Sequence, residues 1–247
     1  MPIHSAHLMS FRAEVDGAEA EIACDLALFD LEARPKGSTT LFVLGATLNA
    51  PDEAGLPGQA ERTAVERAQA TLAQELTRFQ VAIAGHVLTR GTWQTIFYGG
   101  TTLEEDLIPT AQAPLRAEGW DDWIHAESDP EWKHYASFLA PPVATRIASL
   151  SQRATDALQN SGHDLSAPRT LTHTLAFPST EAAELSLASI VALGFETASP
   201  LRAVTPDYIK ATVSRQDPPN HAAATSLMLA ELCAPYDGDH LKWVATQ

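Results

Sequence analysis

Hydrophobic side chains change their spacing several times along this chain, and each change predicts an element. Leu8 to Val15 and Ala20 to Leu28 read as the two strands of a hairpin, because Asp16-Gly17 between them supplies the positive φ that a two-residue turn requires. Leu41-Phe42-Val43-Leu44 is a short buried strand. After the loop Gly55-Leu56-Pro57-Gly58, the residues Val65, Ala68, Leu72, Leu76 and Phe79 recur at helical spacing while Glu61, Arg62, Glu66 and Arg67 take the opposite face, which predicts a helix over 60–79. Val81 to Leu88 and Trp93 to Tyr98 follow as strands around Thr89-Arg90-Gly91-Thr92. Thr102 with Glu105 offers a capping box for a helix after Gly99-Gly100. A last strand, Trp123 to Glu127, leads into Asp129-Pro130-Glu131-Trp132.

Pro141-Pro142 then breaks the chain, and Ser161-Gly162-His163-Asp164 with Pro168 breaks it again. Between the breaks Val143, Ile147, Leu150, Ala154 and Leu158 share one helical face, which must bury against one or both flanking domains. Beyond them Leu171, His173, Leu175 and Phe177 alternate with Thr170, Thr172, Thr174 and Ala176 as a strand. Pro178-Ser179 ends it and caps a helix with Ala183, Leu187, Ile190 and Val191 as its buried stripe, closed by Gly194-Phe195. A hairpin over 196–203 and 208–215 follows, then a helix from Asp217-Pro218-Pro219 with Ala224, Leu227, Met228, Glu231 and Leu232 in register. A Tyr236-Asp237-Gly238 turn and a strand over 241–245 complete the chain. The order βαββαβ is the split arrangement of a ferredoxin-like sandwich. The expected class is therefore α+β: two α/β-sandwich domains, 1–142 and 165–247, joined by a connector helix and linker over 143–164.

Composition narrows the function classes. The 247 residues carry 31 acidic against 16 basic side chains, a formal net charge of −15, which repels phosphate backbones and argues against direct nucleic-acid binding. The acidity is uneven, since 21 acidic and 10 basic side chains lie within the first 150 residues against 10 and 6 beyond. No apolar run approaches the roughly 20 residues of a membrane span, and Met1-Pro2-Ile3-His4-Ser5-Ala6-His7 lacks the order of a secretory signal, so the expected location is cytoplasmic. Cys24 and Cys233, far apart, read as two separate buried thiols.

Two stretches carry family resemblances. Asp129-Pro130-Glu131-Trp132-Lys133-His134-Tyr135 with Phe138-Leu139-Ala140-Pro141 resembles the closing motif of a bacterial family designated domain of unknown function 695. Gly85, Leu88-Thr89-Arg90-Gly91 and Ile96-Phe97-Tyr98 look like that family's strand, turn and aromatic strand. The C-terminal block resembles the RraB family, regulators of ribonuclease E activity, through His173-Thr174-Leu175-Ala176-Phe177-Pro178, Glu181-Ala182-Ala183, Leu193-Gly194-Phe195 and Tyr236-Asp237-Gly238. Tyr208 stands where that family leads one to expect Trp. The second resemblance implies a ferredoxin-like fold and a protein that binds a ribonuclease and its assembly without catalysing a reaction. A shared fold does not by itself fix the partner.

Candidate chemistry is sparse. His125, Glu127 and His134 offer two imidazoles and a carboxylate, a set that suits zinc or iron, and with them an alternative reading as a metal-dependent hydrolase. No His-Glu-x-x-His helix accompanies them. His4-x-x-His7 lies at the chain start and reads as a mobile terminus. Asp237-Gly238-Asp239-His240 opens like a calcium loop but lacks the later ligands. Gly99-Gly100-Thr101-Thr102 could hold an anion at a helix start, yet no Lys is near it. There is no Gly-x-Ser-x-Gly elbow, and neither Cys has a neighbouring His to activate it. His173, on an apolar strand face, reads as a hydrogen-bonded interior histidine.

The distinctive constellation is 118–131, where Trp120, Trp123 and the adjoining Trp132 stand among Glu118, Asp121, Asp122, Glu127, Asp129 and Glu131, with no basic residue inside. Aromatic anchors with an acidic rim suit an interface facing a basic protein, so Trp120, Asp121, Asp122, Trp123, Glu127, Asp129 and Glu131 are the candidate interface residues. The competing reading has Trp132 and at least one other Trp filling the core, with the acids on a solvated loop. The expected function is a non-catalytic regulator without cofactor or metal, binding a basic partner such as a ribonuclease. A self-associating structural module is the third alternative.

Overall fold

The computed structural model describes residues 8–100 and 106–246. The expectations placed on His4, His7, Thr101, Thr102 and Glu105 fall outside those residues. The chain divides into a unit ending at Ala140 and a unit starting at Pro141. Among the described residues no helix is long and apolar enough to cross a membrane.

The first unit contains strands β1 (Leu8–Val15), β2 (Ala18–Asp25), β3 (Thr40–Thr47), β4 (Ala82–Thr89), β5 (Thr92–Gly99) and β6 (Asp121–Ser128), with helices α1 (Gln59–Leu76) and α2 (Leu107–Ala117). All strand pairs are antiparallel, in the order β1-β2-β4-β5-β3-β6, so β1 and β6 are the edges. Both hairpin turns are set by local chemistry: Asp16-Gly17 and Arg90-Gly91 have positive φ at both central residues, the geometry that matches strand twist. One sheet face packs on the helices. Phe42, Leu44, Trp93 and Phe97 meet Val65, Leu72 and Leu76 of α1 and Leu107 and Leu115 of α2 in one core. Each such side chain contributes roughly 1.5–3 kcal/mol by leaving water.

The second unit contains α3 (Val143–Asn160), β7 (Arg169–Phe177), α4 (Thr180–Ala192), β8 (Glu196–Thr205), β9 (Tyr208–Asp217), α5 (Ala222–Cys233) and β10 (Asp239–Ala245). From β7 onward the element order is βαββαβ, and the antiparallel sheet runs β10-β7-β9-β8. The sheet core of Leu175, Phe177, Ile209, Ala211 and Val213 packs on Ala183, Leu187 and Ile190 of α4 and on Leu229 and Cys233 of α5. The Ser179 hydroxyl caps α4 by accepting from the Ala182 N–H at 3.1 Å, and Gly194 closes it at φ +84°. Helix α3 packs against α5 and β10 within its own unit.

Several sequence expectations need correction. Leu26–Phe29 forms a 3-10 turn instead of extending β2, because the Asp25 carboxylate accepts from the Ala27 N–H at 2.9 Å and turns the chain. The short strand at Leu41 extends over Thr40–Thr47, since it pairs along its whole length with both β5 and β6. Val143 and Val191 are exposed. Arg146 and Ser151 are buried on α3 in addition to Ile147, and Ser186 on α4. The buried set of α5 is Ala222, Thr225, Ser226, Leu229, Ala230 and Cys233, so of the expected stripe Ala224 and Glu231 face outward, while Leu227, Met228 and Leu232 are half-buried, with Met228 and Leu232 against the core. That helix is apolar nearly all round, and periodicity alone does not orient such a segment.

Candidate functional site

The chain after β6 closes the first unit by an internal clasp. Asp129 is buried, and its carboxylate accepts from the Tyr98 hydroxyl at 2.7 Å, the Lys133 N–H at 2.8 Å and the His134 N–H at 3.0 Å. Burial alone would raise this carboxyl, but the donors from His134, Tyr98 and Lys133 outweigh it and hold the group below the usual carboxylate range. Burial and the neighbouring carboxylate push the Tyr98 phenol up. At neutral pH the pair is thus a fixed carboxylate and a fixed phenol, with no group poised to exchange protons.

Trp132 completes the clasp. Its ring stacks on Tyr98 with centroids 3.8 Å apart, its indole N–H donates to the Ser38 carbonyl at 2.8 Å, and the Arg34 guanidinium lies 4.8 Å from its centroid. The residue sits at φ +57°, a strained backbone held by these contacts. Tyr135 donates its hydroxyl to the Asp25 carbonyl at 2.6 Å.

The candidate interface residues therefore separate into interior and surface. Trp120 lies in the helix-side core with its ring edge-on to Trp93 at 5.7 Å, because the turn after α2 folds it under the sheet. With Asp129 it leaves the surface set, and both placements correct the sequence expectation. Asp122 faces α2, where Arg116 Nε donates to it at 2.8 Å and its side chain is mostly covered. Glu118 accepts from Nε and Nη2 of Arg67, at 2.6 and 2.5 Å, which lowers its pKa.

The remainder is a surface. Asp121, Trp123, His125 and Glu127 alternate along one face of β6, all exposed. Trp123 is 40% exposed, whereas Trp93, Trp120, Trp132 and Trp243 are buried. Its indole lies across Gly45 of β3, where a Cβ would overlap the ring. Glu131 is also exposed and pairs with Lys133 at 3.0 Å.

His125 Nε2 and Glu127 are 3.6 Å apart, but His134 belongs to the clasp, half-buried with its ring 4.9 Å from Phe138. Burial lowers the His134 pKa against the opposing charges of Glu127 and Asp129. Among the described residues no group of three or more His, Cys, Asp or Glu is arranged to hold a metal ion.

The second unit has a polar interior that sequence reading missed apart from His173. His173 Nδ1 and His240 Nε2 are 3.0 Å apart and both rings are buried. Burial lowers both, to about 4 for His173 and about 3 for His240, with the charges of Arg215 and Arg146 adding to the effect. Arg146 reaches from α3 to Asp239 at 2.5 and 2.7 Å and to the His240 carbonyl at 3.3 Å, while Trp243 Nε1 donates to Ser151 at 3.2 Å. These contacts dock α3 on β10. Cys24 and Cys233 are both buried, and burial raises the Cys233 thiol to about 11.

Residues 9–140 match the model of a family of unknown function, DUF695, and residues 149–243 match the model described as Regulator of ribonuclease activity B. No curated protein matches the chain. Among solved structures, an unknown protein from Galdieria sulphuraria is 11% identical over 85% of this chain and 99% of its own, with a TM-score of 0.23. A hypothetical protein is 11% identical over 96% of this chain and 94% of its own, with a TM-score of 0.22. Likenesses at that level carry no argument. The two family matches together span most of the polypeptide: the chain belongs to the DUF695 family, and the region behind that domain is similar to the family described as Regulator of ribonuclease activity B.

Proposed function

We propose that this chain is a non-catalytic, cytoplasmic regulator that works by binding a basic protein partner, with a ribonuclease as the partner class its C-terminal region points to. The observation that carries the regulatory reading is the match of residues 149–243 to Regulator of ribonuclease activity B. The charge distribution supports a division of labour. Up to Ala140 there are 21 acidic and 9 basic side chains, from Pro141 on 10 and 7, so the DUF695 unit carries the field that would steer a basic partner. On it, Asp121, Trp123, Glu127 and Glu131 are the surface members of the candidate interface, with an aromatic anchor beside acidic side chains.

The test is to add the purified full-length chain to a purified ribonuclease E and follow both association and cleavage of a fluorescent RNA. The reading expects complex formation that weakens as salt rises, and slower cleavage at low salt. A cleavage rate unaffected at saturating chain, with no association at low salt, overturns the ribonuclease assignment.

A further inference from the structure

Strand β6 is a sheet edge with unusual features. Among the described residues no strand pairs with its outer side, so alternate backbone N–H and C=O groups point outward. Its register with β3 runs through eight consecutive pairs without a shift, from Thr40 opposite Ser128 to Thr47 opposite Asp121, and the strand contains no proline. The contrast with β8, an edge of the other sheet, is plain: three register shifts and Pro200 interrupt it, devices that block strand addition. The edge β1 is also regular, but its Arg12 is engaged across the hairpin by Glu19 at 2.7 Å and Glu21 at 3.4 Å.

On β6 the face that projects from the sheet carries Asp121, Trp123, His125 and Glu127 in alternation. Among the described residues neither Asp121 nor Glu127 is paired with a lysine or arginine, whereas Asp122 on the opposite face is held by Arg116. The exposed indole rests on Gly45, which leaves a flat aromatic shelf beside the open backbone.

We propose that β6 is an acceptor edge that binds an extended segment of a basic protein by strand addition, with main-chain hydrogen bonds along β6, lysine or arginine at alternate positions facing Asp121 and Glu127, and a side chain packed on Trp123. The proposal rests on the binding reading above and specifies its mode. A second copy of this chain is a poorer occupant, since pairing two β6 edges brings the acidic side chains of both onto one surface, where like charges oppose each other.

The probe is a blocked nine-residue peptide of alternating lysine and valine, titrated into the full-length chain with tryptophan fluorescence and amide hydrogen exchange as readouts. Two further peptides are N-methylated, one at the odd and one at the even positions. Strand addition places only one of these sets against the edge. The expected result is tenfold or greater weakening by one methylated peptide and little change with the other. Slowed exchange should appear over 121–128, and Asp121→Lys with Glu127→Lys should weaken the parent peptide at least tenfold; Asp121→Asn with Glu127→Gln repeats that comparison with a smaller perturbation. If both methylated peptides bind like the parent, the edge mode is overturned while a salt-dependent acidic surface stands. If the parent does not bind, or if the chain's mass doubles with concentration through β6, strand addition by a basic segment is overturned, whatever the ribonuclease assay shows.

Discussion

At the scale of single residues, burial decides roles that spacing leaves open. Asp129 is the clearest case: removing its side chain leaves the Tyr98 hydroxyl and two main-chain N–H groups facing an apolar interior. Asp129→Ala is expected to cost about 3 kcal/mol and Tyr98→Phe about 1 kcal/mol, read from urea unfolding. In the sequence Asp129 is one acid among six, and its partner Tyr98 lies far upstream, so nothing local separates it from Glu127. His173 and His240 give a pH dependence whose sign follows from their lowered values. Both are neutral when folded and gain protons more readily when unfolded, so stability is level above about pH 7 and falls as pH drops through the ordinary histidine range towards about 4. The loss reaches up to about 1.4 kcal/mol per pH unit for each histidine. Denaturant titrations at several pH values should show it, and His173→Gln with His240→Gln should flatten that slope.

At the scale of elements, what could be read in advance was whatever local chemistry determines. The two-residue turns at Asp16-Gly17 and Arg90-Gly91 and the stripe Val65, Ala68, Leu72 and Leu76 all have causes within a few residues of themselves, and all appear in the fold. The stripe expected for α4 is buried at Ala183, Leu187 and Ile190 and fails only at Val191, whereas that of α5 is offset at Ala224 and Glu231, because apolar residues surround that helix. The docking of α3 was hidden for another reason: its anchor is a buried arginine whose carboxylate, Asp239, comes from β10. Asp239→Ala is expected to destabilise more than Arg146→Met, since the first leaves a buried guanidinium without that carboxylate and the second removes the charge; the order can be read from paired thermal unfolding curves. Within the sheet, Gly45→Ala should force the Trp123 indole aside, at a cost of roughly 1–3 kcal/mol and with a shift in tryptophan fluorescence.

At the scale of the whole molecule, the candidate interface contracts. A tryptophan and acid cluster in the sequence becomes an internal clasp of Asp129 and Trp132, an interior Trp120, an ion-paired Asp122, and an open face of Asp121, Trp123, His125 and Glu127. Sequence position could not make that division, because the side of a strand that faces solvent is set by what packs on it, here α2 and β3. Of the 31 acidic side chains 21 lie up to Ala140, and Asp121 and Glu127 are the two of them on the exposed β6 face. The most direct measurement is capture of partners from lysate by the wild-type chain and by the Asp121→Lys, Glu127→Lys variant, at low and high salt, with the captured proteins identified by mass spectrometry. The account predicts a stoichiometric basic protein, a ribonuclease or a component of its assembly, held by the wild type at low salt and lost both at high salt and from the variant. A partner retained equally by the variant, or no salt-labile partner at all, would contradict it.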